Sequence, residues 1–345
     1  MPTPETRPTW EPDVLPGFER LALPLPGGES ATLVRRITPG AVSAEKAVDD
    51  ADPTVPGPTP SGRGARKPAI LYLHGFVDYF FQVHLADAFE ARGHRFYALE
   101  LRGYGRSLER STDPTRPNYV PDIAVYHEDI DAAAQTIAEE EGGTGLVGIG
   151  HSTGGLILPL WAAARPGRVR ALVLNSPWLD LNGGWLMRGP LTWAVRGLAR
   201  IAPRAAITGL KVHYGRALHH ETGGEWIYDL AWKPHDGFPV RPAWFSSIRR
   251  WQARVGRGIE TGCPVLVMTS LRRGDPTRWH SEVITTDSVL DPRQIWRRAS
   301  KLGIDVEVRA LEGGAHDLAL SPEPTRTRYI TETLDWIDKV VARGE

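Results

Sequence analysis

Five short, almost wholly apolar runs punctuate the chain: Ala69–Leu73 (AILYL), Phe96–Leu101, Leu146–Ile149, Val169–Leu174 and Pro264–Met268. Runs of this length suit strands covered on both faces, as in a parallel sheet. Between them the period changes. Ile123, Tyr126, Ile130, Ala134 and Ile137 recur at helical spacing within Ile123–Glu141, with acids on the other face. Ser152–Ala164 reads as another helix, stopped by Arg165-Pro166-Gly167. Val306–Leu311 reads as a last strand. Thr325–Ala342 reads as a last helix, with Ile330, Leu334, Ile337 and Val341 on one side. Strands alternating with helices predict an α/β fold built on a doubly wound, mostly parallel sheet. Ahead of it, Phe18–Leu25 and Ala31–Ile37 flank a Pro-Gly-Gly turn and read as a hairpin.

Three stretches break this rhythm. Residues 1–17 are proline-rich and read as a loose N-terminal segment, and residues 40–67, rich in small residues, Pro and Gly, as a flexible loop. Residues 177–261 hold seven of the 12 tryptophans and fall between two predicted strands. They read as an inserted, mostly helical cap, which leaves 18–176 and 262–345 as the core.

Composition removes several function classes. With 41 basic and 41 acidic residues in 345, there is no electrostatic footprint for nucleic acid. No run approaches the ~18 unbroken apolar residues of a membrane-spanning helix, so no integral membrane segment is expected. The opening MPTPETRPTWEPD has no apolar core and reads as no secretory signal. A single cysteine, Cys263, forms no internal disulfide, which fits a reducing cytoplasm. Nothing in the composition sets an oligomeric state.

The candidate chemistry centres on Gly150-His151-Ser152-Thr153-Gly154-Gly155, a Gly-x-Ser-x-Gly pattern. Alone it is weak. Here a predicted strand ends at Gly150 and a helix begins after Ser152, the strand–turn–helix context the pattern requires. Such a tight turn lifts the serine clear of the backbone. A serine hydroxyl needs a base to take its proton, and the base needs an acid to hold its tautomer. In this architecture the order is Ser, then Asp or Glu, then His. His316, in Glu312-Gly313-Gly314-Ala315-His316 after the last strand, is the candidate base. Asp275, Glu282, Asp287 and Asp291 follow the strand PVLVMTS. Asp287 is the choice and Asp291 the alternative, although an Asp-Pro pair is better used as a helix N-cap. Attack on an ester creates an oxyanion, which needs preorganised donors. The backbone N–H groups of Thr153, after the serine, and of Phe76, in Leu73-His74-Gly75-Phe76, are the candidates.

At these residues the chain resembles the α/β-hydrolase superfamily. More narrowly it resembles the monoacylglycerol lipase and lysophospholipase-like group, also called serine aminopeptidase-type hydrolases. The resemblance rests on His74-Gly75-Phe76, Gly150–Gly155, Asp287 and His316, and covers roughly residues 65–343. Arg102-Gly103-Tyr104-Gly105-Arg106-Ser107 is similar to a further segment of these enzymes, with Tyr104 at a position more usually histidine. The 16 residues between Ser270 and Asp287 exceed the typical spacing. The resemblance implies the α/β-hydrolase fold with an inserted helical cap. It also implies hydrolysis of carboxylic esters by a Ser–His–Asp triad, through an acyl-enzyme and without a cofactor.

Phe80, Phe81, Trp178 and Trp185 follow strand ends, where ligands bind in open α/β sheets, and are the expected pocket walls. The expected partner is a small-molecule acyl ester of medium or long chain, monoacylglycerol- or lysophospholipid-like. Thioester hydrolysis, acyl transfer and cofactor-free perhydrolysis are alternatives at the same site, and a non-catalytic binding module is the reading from another class. Dehalogenase and epoxide-hydrolase chemistry is disfavoured, because those relatives carry aspartate where Ser152 stands. His219-His220-Glu221 lacks metal-binding spacing and reads as surface.

Overall fold

The structure is a computed structural model, and it describes residues 9–37, 67–108, 113, 116–181, 189–207 and 213–343. Nine strands form one sheet: β1 (Glu11–Pro12), β2 (Phe18–Leu25), β3 (Glu29–Arg36), β4 (Ala69–Leu73), β5 (Phe96–Glu100), β6 (Leu146–His151), β7 (Ala171–Asn175), β8 (Val265–Ser270) and β9 (Val306–Leu311). Their order is β1-β2-β3-β5-β4-β6-β7-β8-β9. β1, β2 and β3 run antiparallel to their neighbours, and every pairing from β5 to β9 is parallel. The doubly wound, mostly parallel sheet expected from the apolar runs is present. The described helices are α1 (Val83–Ala91), α2 (Tyr126–Glu141), α3 (Gly154–Ala164), α4 (Pro190–Ile201), α5 (His213–Leu218), α6 (Pro242–Gly256), α7 (Pro292–Ala299) and α8 (Thr325–Arg343).

The apolar runs carry no visible alternation because both sheet faces are covered. Side chains still point alternately up and down. Leu71, Leu73, Leu99, Leu172 and Val267 join α2, α3 and α6 in one core cluster. Ile70, Tyr72, Phe96, Ile149 and Met268 join α1 and α8 in another. β9 is the exception: it closes the sheet, and Val308 stays partly exposed.

The N-terminal segment is not loose throughout. β1 pairs with β2, and the Asp13 carboxylate accepts two bonds from the Arg106 guanidinium at 2.6 Å, both side chains fully buried. Arg106 also bonds Glu100, so one cation sits between two buried carboxylates. That pairing draws the strand end inward. The connection between β7 and β8, where the inserted cap is expected, carries the described helices α4, α5 and α6. Its last helix departs from a cap. Trp244, Ile248 and Val255 of α6 are buried in the same cluster as the sheet, so α6 belongs to the covering layer. Loop 40–67 lies outside the described residues except for Lys67, which bonds Asp338 at 2.5 Å.

Candidate active site

The parallel registers align the carboxyl ends of three neighbouring strands. Leu73 of β4 pairs with Gly150 of β6, and His151 pairs with Asn175 of β7. The loops that follow therefore meet, as ligand sites in open sheets do. Between β6 and α3 the chain reverses so tightly that Ser152 takes φ +50°, a left-handed conformation uncommon for a residue with a side chain. Such strain persists only where the surroundings over-determine it. Here the Ser152 N–H donates to the Asn175 carbonyl at 3.0 Å, and the Ser152 carbonyl accepts from the Trp178 N–H at 2.9 Å. The flanking glycines have no alternative. A Cβ on Gly150 would stand 2.7 Å from the Gly154 carbonyl oxygen, and one on Gly154 would stand 2.5 Å from the carbonyl oxygens of Leu73 and His74.

His316 arrives on the segment after β9. Its Nε2 lies 3.0 Å from Ser152 Oγ and its Nδ1 lies 3.1 Å from Asp287 Oδ2. An ionised carboxylate only accepts, so Nδ1 donates to Asp287 and Nε2 is left as acceptor for the serine hydroxyl. Asp287 is fully buried, and its Oδ1 accepts from the backbone N–H groups of Val289 (3.0 Å) and Leu290 (2.7 Å). Asp291 instead caps α7, accepting from the Arg293 N–H at 3.1 Å. Among the described residues, the Phe76 and Thr153 backbone N–H groups have no acceptor, although the N–H groups of Gly75, Val77 and Ser152 beside them are all bonded. His74 supports this loop. Burial pushes its pKa down to about 4, and the neutral ring accepts the Leu101 N–H at Nε2. Burial likewise lowers the pKa of His151, whose ring lies 5.0 Å from that of His316.

Two of the expected pocket walls are buried among other aromatic side chains. Phe80 packs against Phe18, Tyr72 and Phe96 in the core on the α1 and α8 face, because the chain after Gly75 turns down into that layer. Phe81 is buried against Tyr79 and Tyr228. Trp178 does stand beside Ser152, through its backbone bond, and its ring lies 6.0 Å from that of Trp244. Trp185 lies outside the described residues. His219, read as surface, is buried with Nε2 3.1 Å from the Tyr228 carbonyl oxygen. Among the described residues, no group of His, Cys, Asp or Glu side chains could hold a metal ion.

The 73–178 architecture finds its counterpart in known proteins. Residues 64–229 match the family model described as serine aminopeptidase, S33. The monoacylglycerol lipase of Mycolicibacterium smegmatis is 27% identical over 142 residues, 41% of this chain and 48% of that protein. The structure of a soluble variant of the monoglyceride lipase from Saccharomyces cerevisiae, in complex with a substrate analogue, superposes with a TM-score of 0.61 over 97% of this chain and 96% of its own, at 16% identity. A thermostable carboxyl esterase from Bacillus coagulans superposes with a TM-score of 0.62 over 95% of this chain and all of its own, at 14% identity. The chain has the α/β-hydrolase fold. It spans about half the length, or less, of the curated relatives it matches. Among the described residues, no helix is long and apolar enough to cross a membrane.

Several residues around the candidate site escaped the sequence reading. Trp244 of α6 packs against Phe76, ring centres 4.3 Å apart and tilted by 30°. Tyr214 of α5 stands edge-on to the His316 ring at 5.8 Å and accepts the Asp317 N–H at 2.9 Å. Lys233 reaches from the β7–β8 connection to bond Asp78 Oδ1 at 2.5 Å, while Asp78 Oδ2 accepts the Gly75 N–H at 3.3 Å. Burial raises the Asp78 pKa, but Lys233, His151 and His74 together hold the carboxyl below the usual range. All three come from the insertion, whose sequence carries no pattern that sets their partners. Asp317 had a legible sign, since it directly follows the candidate base.

Proposed function

We propose that the chain is a serine hydrolase of carboxylic esters, with Ser152 as nucleophile, His316 as general base and Asp287 as the acid that orients it. The observation that carries this reading is the continuous Ser152–His316–Asp287 hydrogen-bond chain, at 3.0 and 3.1 Å. Ser152 Oγ attacks the acyl carbon as its proton passes to His316 Nε2. We assign the Phe76 and Thr153 N–H groups, which have no acceptor among the described residues, as donors to the oxyanion that forms, and loss of one such donor typically costs about 10²–10³ in rate. On collapse, His316 returns the proton to the leaving alcohol and an ester links the acyl group to Ser152. Water then attacks that ester, with His316 again taking the proton and Ser152 leaving. The Trp178–Trp244–Phe76 aromatic group beside the serine suits an apolar acyl chain. With the lipase-named relatives, it favours monoacyl esters of medium or long chain. We assign the part of the insertion before α6 as the cap over this site.

The test is labelling of purified protein with a fluorophosphonate probe, then hydrolysis of matched ester, thioester and amide series across chain length, with Ser152→Ala as blank. Labelling at Ser152 and a preference for esters are expected. No labelling would overturn the reading in favour of a binding module. A preference for thioesters would replace the substrate class.

A further inference from the structure

Ser152 and His316 lie 164 residues apart in the chain, on loops from different strands. Their 3.0 Å contact depends on something that holds those loops in register, and one residue touches both. Asn175, the last residue of β7, is buried. Its carbonyl accepts the Ser152 N–H at 3.0 Å. Its side chain turns to the other loop, where Nδ2 donates to Asp317 Oδ1 at 2.7 Å and Oδ1 accepts the Leu318 N–H at 3.2 Å. Asp317 directly follows His316. Its buried carboxylate meets neutral donors only among the described residues: the Asn175 amide, the Gln82 amide at 3.1 Å and the Ala319 N–H at 3.0 Å. An amide carries both a donor and an acceptor, and this one uses both on the base-bearing loop.

We propose that Asn175 is a positioning residue, a two-ended tie whose main chain fixes Ser152 and whose amide, through Asp317 and Leu318, fixes the loop that delivers His316. This rests on the reading of Ser152 and His316 as nucleophile and base. The two ends are chemically independent. Truncating the side chain leaves the main-chain bond to Ser152 in place and frees only the His316 side. Displacement of a catalytic group by about 1 Å costs on the order of 10²-fold in rate.

The variants Asn175→Ala and Asn175→Asp separate this role from general stability. In Asn175→Ala, kcat and the second-order rate of fluorophosphonate labelling should fall together by about 10–100-fold, with KM within about threefold. In Asn175→Asp, two carboxyl groups would face each other at the present 2.7 Å contact and share one proton, with a raised apparent pKa for the pair. Below that pKa an O–H···O⁻ bond replaces the amide bond, so activity should exceed that of Asn175→Ala. Above it the pair repels, giving an alkaline fall absent from the wild type. The other titratable groups facing Asp317 do not supply such a limb. Burial raises the pKa values of Tyr72, Tyr214 and Tyr329 and lowers those of His84 and His151, so all five stay neutral there.

A wild-type labelling rate retained within twofold in Asn175→Ala would overturn the tie and leave the reading of Ser152 intact. So would equal rates for the two variants at every pH, or a loss in Asn175→Ala that merely tracks unfolded protein in thermal melts. A wild type that does not label at Ser152 would remove both the tie and the function it serves.

Discussion

The choice between two carboxylates four residues apart can be tested by one conservative change at each. Asp287→Asn keeps the shape of the side chain and an acceptor for the Val289 and Leu290 N–H groups. It turns an NH₂ toward His316 Nδ1, which now faces a donor where it had a carboxylate at 3.1 Å. The ring must then present Nδ1 as acceptor and carry its proton on Nε2, where it can no longer accept from Ser152 Oγ. In a triad, such a tautomer error costs about 10⁴ in kcat, equivalent to about 5.5 kcal/mol of barrier. Asp291→Asn keeps a side-chain oxygen for the Arg293 N–H, and Asn caps helices as well as Asp does, so kcat should stay within about twofold. The assay is kcat for a p-nitrophenyl ester at pH 8, with active sites counted by fluorophosphonate titration. If Asp287→Asn kept a tenth of wild-type kcat, or Asp291→Asn were the more damaging, Asp287 would not be the group that orients His316.

Further outcomes follow from other parts of the molecule. Ser152→Ala and His316→Ala should each remove most esterase activity, and the double variant should lose little more, since residues acting as one unit are non-additive; multiplied losses would refute the shared unit. His74 resists protonation until about pH 4 when folded but takes a proton near pH 6.5 when unfolded, so its share of stability is lost as pH falls through that window. That share is about 2 kcal/mol between pH 7.5 and pH 5, and urea unfolding of His74→Asn should show a shallower pH slope by this amount. Arg106 is the cation between buried Asp13 and Glu100. Asp13→Ala leaves the Arg106–Glu100 pair and should cost about 2–3 kcal/mol, whereas Arg106→Met strands two carboxylates and should cost about 5 kcal/mol. The reverse ranking in denaturant unfolding would show that this network is not organised around Arg106.

Local rules carried much of this protein. Apolar runs such as Ala69–Leu73, alternating with helical periods, suit doubly covered strands, and Gly150-x-Ser152-x-Gly154 between a strand and a helix specifies a turn that only small flanking residues permit. Chain order then narrowed the base to the segment after the last strand, where His316 stands. All of this depends on neighbours in sequence, so it is legible without coordinates. What depends on which side chains meet across the fold was not. The apolar text around Phe80 and Phe81 looks the same whether the rings line a pocket or fill a core, and only the packing of Phe80 on Phe18, Tyr72 and Phe96 decides it. Asp13 looked like part of a loose proline-rich end, yet a buried guanidinium 93 residues away draws it in. Asn175, Tyr214, Trp244 and Lys233 carry no motif. Their partners are set by long-range burial and hydrogen-bond geometry, which exist only once distant strands and loops have closed on one another.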